Sequence, residues 1–100
     1  MKKLTKDYRE SLLESLKDPA EAAEYLNAAL EEGDSQVLMV ALRDVVDAQQ
    51  DISRLAKTVR LNRESVYRTL SKGNPRLASL ESLLDALGLR LKVEPKRSAA

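Results

Sequence analysis

One hundred residues amount to one domain by length, and 43% apolar residues can fill one modest core. There is no cysteine and no histidine, which removes disulfides, thiolate metal sites, imidazole ligands and histidine general bases. The formal net charge of +1 hides a division, because residues 1–50 hold six Lys/Arg against eleven Asp/Glu (net −5) and residues 51–100 hold eleven against five (net +6), an asymmetry that points to different partners for the two halves.

The three aromatic residues are all Tyr, so Leu, Ala and Val must build the core, a composition that favours helices over sheets. The start, Met1-Lys2-Lys3-Leu4-Thr5-Lys6-Asp7, lacks the apolar middle of a signal peptide, and no apolar run is long enough for a membrane span. A cytoplasmic protein without a membrane partner is expected. Residues 5–17 read as a first helix with Tyr8, Leu12, Leu13 and Leu16 on one side.

Asp18-Pro19-Ala20-Glu21 supplies an N-cap, a proline at the first helical position and an acid three residues after the cap. That second helix closes at Gly33, with Ala22, Leu26, Ala29 and Leu30 as its expected buried stripe. Asp34 caps a third helix of about residues 35–49, in which Leu38, Ala41, Leu42 and Val45 share a face. Asp51 and Asn62 cap two further helices, about 52–59 and 63–72, the latter ending at Gly73. After the break at Asn74-Pro75, a last helix of about 77–87 carries Leu80, Leu83, Leu84 and Leu87 and ends at Gly88.

Beyond Gly88 the period changes to two: Leu89, Leu91 and Val93 alternate with Arg90, Lys92 and Glu94 before Pro95, which predicts a short C-terminal β-strand. Lys2 to Thr5 is the nearest thing to a second strand, so pairing in trans with a symmetry mate is expected. The whole reads as all-α: a compact bundle of five to six helices with an embedded helix-turn-helix and that strand. The single domain divides into an acidic helical half (1–50), the helix-turn-helix with closing helix and strand (51–94) and a frayed tail (95–100).

The stretch Asp51 to Pro75, "DISRLAKTVRLNRESVYRTLSKGNP", carries the chemistry. A helix of 63–72 that buries Val66 and Leu70 turns Glu64, Arg68 and Ser71 outward, sets Tyr67 and Lys72 at its edges and puts Arg63 at its tip. In a major groove, arginine grips guanine O6 and N7, glutamate accepts from cytosine N4, and Tyr67 meets a thymine methyl or a phosphate. Ser53, Arg54 and Lys57 before it, and Lys72, Asn74 and Arg76 after it, are placed for phosphates, contacts that position but do not specify. The expected DNA-contacting set is Ser53, Asn62, Arg63, Glu64, Tyr67, Arg68 and Lys72. Few phosphate contacts per chain favour a homodimer on palindromic double-stranded DNA.

At "DPAEAAEYLNAALEEGD", "LAKTVRLNRESVYRTLSKGNPRL" and "LLDALGLRL" the chain resembles the helix-turn-helix antitoxins of the HigA-like addiction-module antidote group, and the likeness covers most of its length. The resemblance implies an all-α fold, neutralisation of a small ribonuclease-type toxin and repression of the module's own operon. It also implies that Ala56 is the small residue between the two helices, Leu61 and Val66 the core plugs, Arg63 to Arg68 the reading segment and Ser53 a phosphate contact. Two positions depart from the family pattern: Ile52 stands where glutamine is common, and Arg60 where the turn usually has glycine. The acidic first half is then the expected face for a basic toxin.

Enzyme chemistry is poorly supplied. Ser11, Ser15 and Thr58 have no histidine to activate them. Glu31, Glu32 and Asp34 read as a helix end and a cap rather than a metal site, and there is no phosphate-cradling glycine loop and no internal repeat. No catalytic residue, metal or cofactor is expected. The competing readings are a helix-turn-helix repressor with no toxin partner, and a helical protein-interaction module that never meets DNA.

Overall fold

Five helices make up the described residues, which are 2–49 and 63–96 of this computed structural model, with side chains from Asp7 in the first span and from Val66 in the second. In chain order they are α1 (Lys2–Ser15), α2 (Pro19–Glu31), α3 (Ser35–Ala48), α4 (Arg63–Lys72) and α5 (Leu77–Ala86). The helix expected at 52–59, with its cap Asp51, lies outside the described residues.

The caps work as the sequence predicts. The Asp18 carboxylate accepts from the Ala20 N–H at 3.0 Å, and Asp34 accepts from the Gln36 N–H at 2.8 Å, each satisfying a first-turn donor that the helix cannot. Pro19 and Glu21 complete the first turn of α2, where a missing N–H costs nothing and a negative charge faces the positive end of the helix dipole. Beside Pro19, α5 stops in a Schellman turn. The Leu89 N–H donates to the Leu84 carbonyl at 2.8 Å and the Gly88 N–H to that of Asp85 at 3.0 Å, with Gly88 at φ +82°, where a side chain would be strained.

α3 is the hub, packed against α1, α2 and α4. Its sequence, SQVLMVALRDVVDA, is apolar around much of its circumference, and Met39, Ala41, Leu42, Val45, Val46 and Ala48 are all buried. Around it the core takes Leu16 at the end of α1, Ala22, Leu26 and Ala29 from α2, Val66 and Leu70 from α4, and Leu83, Leu84 and Leu87 from α5 and its cap. No described helix is long and apolar enough to cross a membrane.

Three expectations are corrected. Lys2 to Thr5 is no strand: α1 begins at Lys2, because nothing in Lys-Lys-Leu-Thr breaks a helix and no extended neighbour competes for its backbone. Leu30, placed by periodicity on the buried stripe of α2, is 52% exposed, and Tyr8, placed on the apolar side of the first helix, is 64% exposed. Leu30 sits in the last turn of α2 beside an open groove, and at Tyr8 the side of α1 that meets α3 is taken by its neighbour Arg9, which bonds Asp44 and Asp47. Finally, the C-terminal β-strand is not seen, since residues 89–96 have no regular structure. A strand exists through its ladder, and no described segment lies beside this one to supply the hydrogen bonds.

Candidate nucleic-acid interface

α4 is one-sided. Val66 and Leu70, one turn apart, are buried to 1% and 3% exposure against the core, and the opposite face carries Arg68, Ser71 and Lys72 into solvent. The Ser71 hydroxyl donates to the Arg68 carbonyl at 3.1 Å, which occupies the serine and leaves the Arg68 guanidinium as the long donor on this face. Lys72 in the last turn faces the negative end of the helix dipole.

Two contacts from α3 fix how that face is presented. The Arg43 guanidinium carbon lies 4.7 Å from the centroid of the Tyr67 ring, a cation–π contact between the hub and the edge of α4. Tyr67 is half-buried and packs on the core, so its ring is a wedge between the helices as well as an edge of the exposed face. At the end of α4, Gly73 has φ +74° and lies so close to the Gln36 side-chain amide that an added Cβ would collide with it. The positive φ requires glycine there, whereas the Gln36 amide, at the end of a flexible exposed side chain, could swing aside.

The acidic half is held by a polar clasp that links α1, α2 and α3. Asp44 is only 8% exposed, and its carboxylate accepts from Arg9 at 3.0 Å and from the Tyr25 hydroxyl at 2.6 Å. The second nitrogen of Arg9 reaches Asp47, one turn along α3, at 3.1 Å. The hydrogen bond to Asp44 raises the Arg9 pKa above its ordinary value, with the charges of Asp44 and Asp47 adding to it. Burial, and then the bond to Asp44, push the Tyr25 hydroxyl up to about 12. All buried side-chain polar atoms among the described residues have partners, so the clasp is a satisfied network.

Of the residues expected to contact DNA, Arg68 and Lys72 stand exposed on one side of α4 and Tyr67 at its edge. Arg63 and Glu64 open the same helix, but their side chains lie outside the described residues, as do Ser53 and Asn62 altogether. Asn74 and Arg76 follow in the exposed connection to α5, where Arg76 takes the N-cap position without a side-chain capping bond. Sequence reasoning missed Arg43, because its relation to Tyr67 depends on how α3 crosses α4. It also missed the clasp, although a carboxylate at Asp44, set between Leu42 and Val45 in an apolar helix, was a usable signal. Among the described residues no cluster of three or more carboxylates is placed to hold a metal.

Comparison with known proteins places this sequence in a recognised group. The family described as "Probable addiction module antidote protein" matches residues 8–95. An uncharacterized protein of Haemophilus influenzae is similar, 33% identical over 87 residues that cover 86% of this chain and 89% of the relative. No solved structure matches the chain.

Proposed function

The chain belongs to the addiction-module antidote family, and from that premise we propose that it is a HigA-like antitoxin that binds DNA through a helix-turn-helix and represses its own operon. An antidote implies a toxin, and the toxin class we propose is a small basic ribonuclease. The observation that carries the DNA reading is the one-sided build of α4: Val66 and Leu70 bury one face while Arg68 and Lys72 stand on the other.

In this reading α4 enters the major groove. Arg68 donates to guanine O6 and N7, Glu64 accepts from cytosine N4, and Arg63 and Tyr67 flank them near the base edges or backbone. Lys72, with Ser53 and Asn62 from the preceding segment, meets phosphates and sets the register. Arg43, held over Tyr67, adds a cation at the border of the same face. The protein acts as a homodimer on a palindromic operator, which doubles a modest set of contacts. The toxin meets the other half, where Glu21, Glu24 and Glu31 are exposed on α2 and attract a basic partner.

The test is fluorescence anisotropy of the protein on DNA from upstream of its own gene against a scrambled duplex, at two salt concentrations. Selective binding is expected, with Arg68→Ala losing about 1–3 kcal/mol of discrimination and Lys72→Ala weakening both duplexes alike and lowering the salt dependence. Equal affinity for both duplexes would return the protein to an antidote that acts through protein contacts alone.

A further inference from the structure

The segment after α5 has the composition of a strand and the surroundings of an unfinished one. Leu89 is half-buried against the core, anchored by its backbone bond to Leu84. Beyond it the chain opens into solvent, with Leu91 44% and Val93 95% exposed. An apolar groove of about 300 Å³ runs alongside, lined by Leu30, Leu80, Leu84, Leu89 and Leu91 with Arg90, Lys92 and Glu94 at its rim. Alternating apolar and charged residues, backbone groups that bond to no other described residue beyond Leu89 and an adjoining apolar groove together describe an edge awaiting a second strand.

We propose that residues 89–94 pair antiparallel with the same residues of a second copy, in the register that sets Arg90 opposite the partner's Glu94 and Leu91 opposite the partner's Val93. The proposal rests on the homodimer of the functional reading and gives it an interface. A two-fold pair keeps apolar residues opposite apolar residues only when it is centred on a residue. Of the four centres inside the segment, Arg90 gives only Leu89–Leu91 pairs before the ladder runs into the Gly88 turn that ends α5, which leaves three. Centring on Leu91 sets Arg90 against the partner's Lys92 twice, which is repulsive. Centring on Val93 sets Lys92 against Glu94 but also Arg90 against Lys96, and draws Pro95, which has no N–H, into the ladder opposite Leu91. Centring on Lys92 gives two Arg90–Glu94 pairs and two Leu91–Val93 pairs for one Lys92–Lys92 contact on the axis, and leaves Pro95 at the ladder's end. Cross-strand pairs of opposite charge stabilise and like charges directly opposite destabilise, so the last register wins.

The same charges select the occupant. A basic toxin would meet Arg90 and Lys92 at the groove rim, whereas a second copy brings its own Glu94 to Arg90. The partner's Leu91 and Val93 then extend the apolar cover over the groove beside Leu30.

The experiment measures the mass of the full chain in solution across a concentration series, for the parent and for Arg90→Glu, Glu94→Arg and the double reversal. Each single reversal makes both symmetric pairs repulsive and is expected to raise the dimer dissociation constant about tenfold or more, while the double reversal restores the parent value. Because the chain has no cysteine, Lys92→Cys provides an independent readout. Residues facing themselves across the axis are separated by roughly 4.5–5.5 Å between Cα atoms, within disulfide reach, so this variant is expected to oxidise to a linked dimer and Arg90→Cys is not.

A monomer at every concentration, a dimer indifferent to the reversals, or a Lys92→Cys variant that stays unlinked overturns the proposal. The DNA reading fails separately. A chain that selects its operator without this pairing sinks only the interface, and a strand-paired dimer with no DNA preference sinks only the operator.

Discussion

α3 and α4 are both short helices with apolar residues at helical spacing, and the protein uses them in opposite ways. α3 is buried around much of its circumference and touches α1, α2 and α4. α4 commits Val66 and Leu70 to the core and keeps a charged face free. The difference separates tasks: substitutions in α3 should act on folding, and substitutions on the outer face of α4 should act on binding. A helix held by two buried side chains and an aromatic wedge can change its exposed residues without disturbing the hub that orients it.

The largest expected effect tests the first half of that contrast. Leu42 is 1% exposed at the centre of α3, and Leu42→Ala should lower stability by about 2–5 kcal/mol through lost burial and the cavity left behind. Arg68→Ala should stay within about 0.5 kcal/mol of the parent in the same denaturant titration. If Arg68→Ala is the more destabilising of the two, α4 carries structural weight that its exposed face does not show, and the division of labour fails.

Next in size is the clasp. Asp44→Ala leaves the Arg9 guanidinium and the Tyr25 hydroxyl without their shared acceptor and should cost about 1–3 kcal/mol. Its pH signature follows from Tyr25, whose pKa in the fold is about 12 against roughly 10 in an unfolded chain. A group whose folded pKa is raised contributes stability that is complete below the unfolded value and is lost as pH climbs through the folded one. Stability should therefore decline between about pH 10 and 12, and Tyr25→Phe should remove that component. Tyrosinate absorbance during an alkaline titration would follow it directly, and a decline unchanged in Tyr25→Phe would assign the alkaline loss to other groups.

Where a boundary is written in local chemistry it was legible, with Asp18 and Asp34 as caps, Gly73 and Gly88 as stops and Pro19 as a start, whereas α1, expected over 5–17, runs Lys2–Ser15 with no such mark at its start. Val66 and Leu70 of α4, Leu83, Leu84 and Leu87 at the end of α5, and Ala41, Leu42 and Val45 of α3 were legible from period. Met39, Asp44, Val46 and Ala48 were not, because α3 is packed on more than the one face a period describes. What period cannot tell is where a neighbour packs, and so Leu30 came out beside an open groove and Tyr8 came out exposed next to Arg9, which meets α3 instead. The alternation after Gly88 was legible as a pattern but not as a strand, since the second half of any ladder lies elsewhere. The outward side of Arg68 and Ser71 followed from the burial of Val66 and Leu70, with Lys72 expected at the edge and found exposed. Arg43 did not, because adjacency between α3 and α4 is a property of their crossing.

The smallest expected effect is the most direct test of that crossing. Arg43 stands over Tyr67 with its guanidinium carbon 4.7 Å from the ring centroid, and an exposed cation–π contact contributes about 0.5–1 kcal/mol. Arg43→Ala and Tyr67→Leu should each destabilise, and a double-mutant cycle should return a coupling energy of that order, because each single change already removes the shared contact. The same cycle on operator DNA distinguishes two uses of Arg43. If it only positions Tyr67, the Arg43→Ala loss in affinity should vanish in the Tyr67→Leu background. If it also meets a phosphate, part of the loss should survive there and shrink at high salt, since screening weakens the charge contact and leaves the packing of α3 on α4 in place.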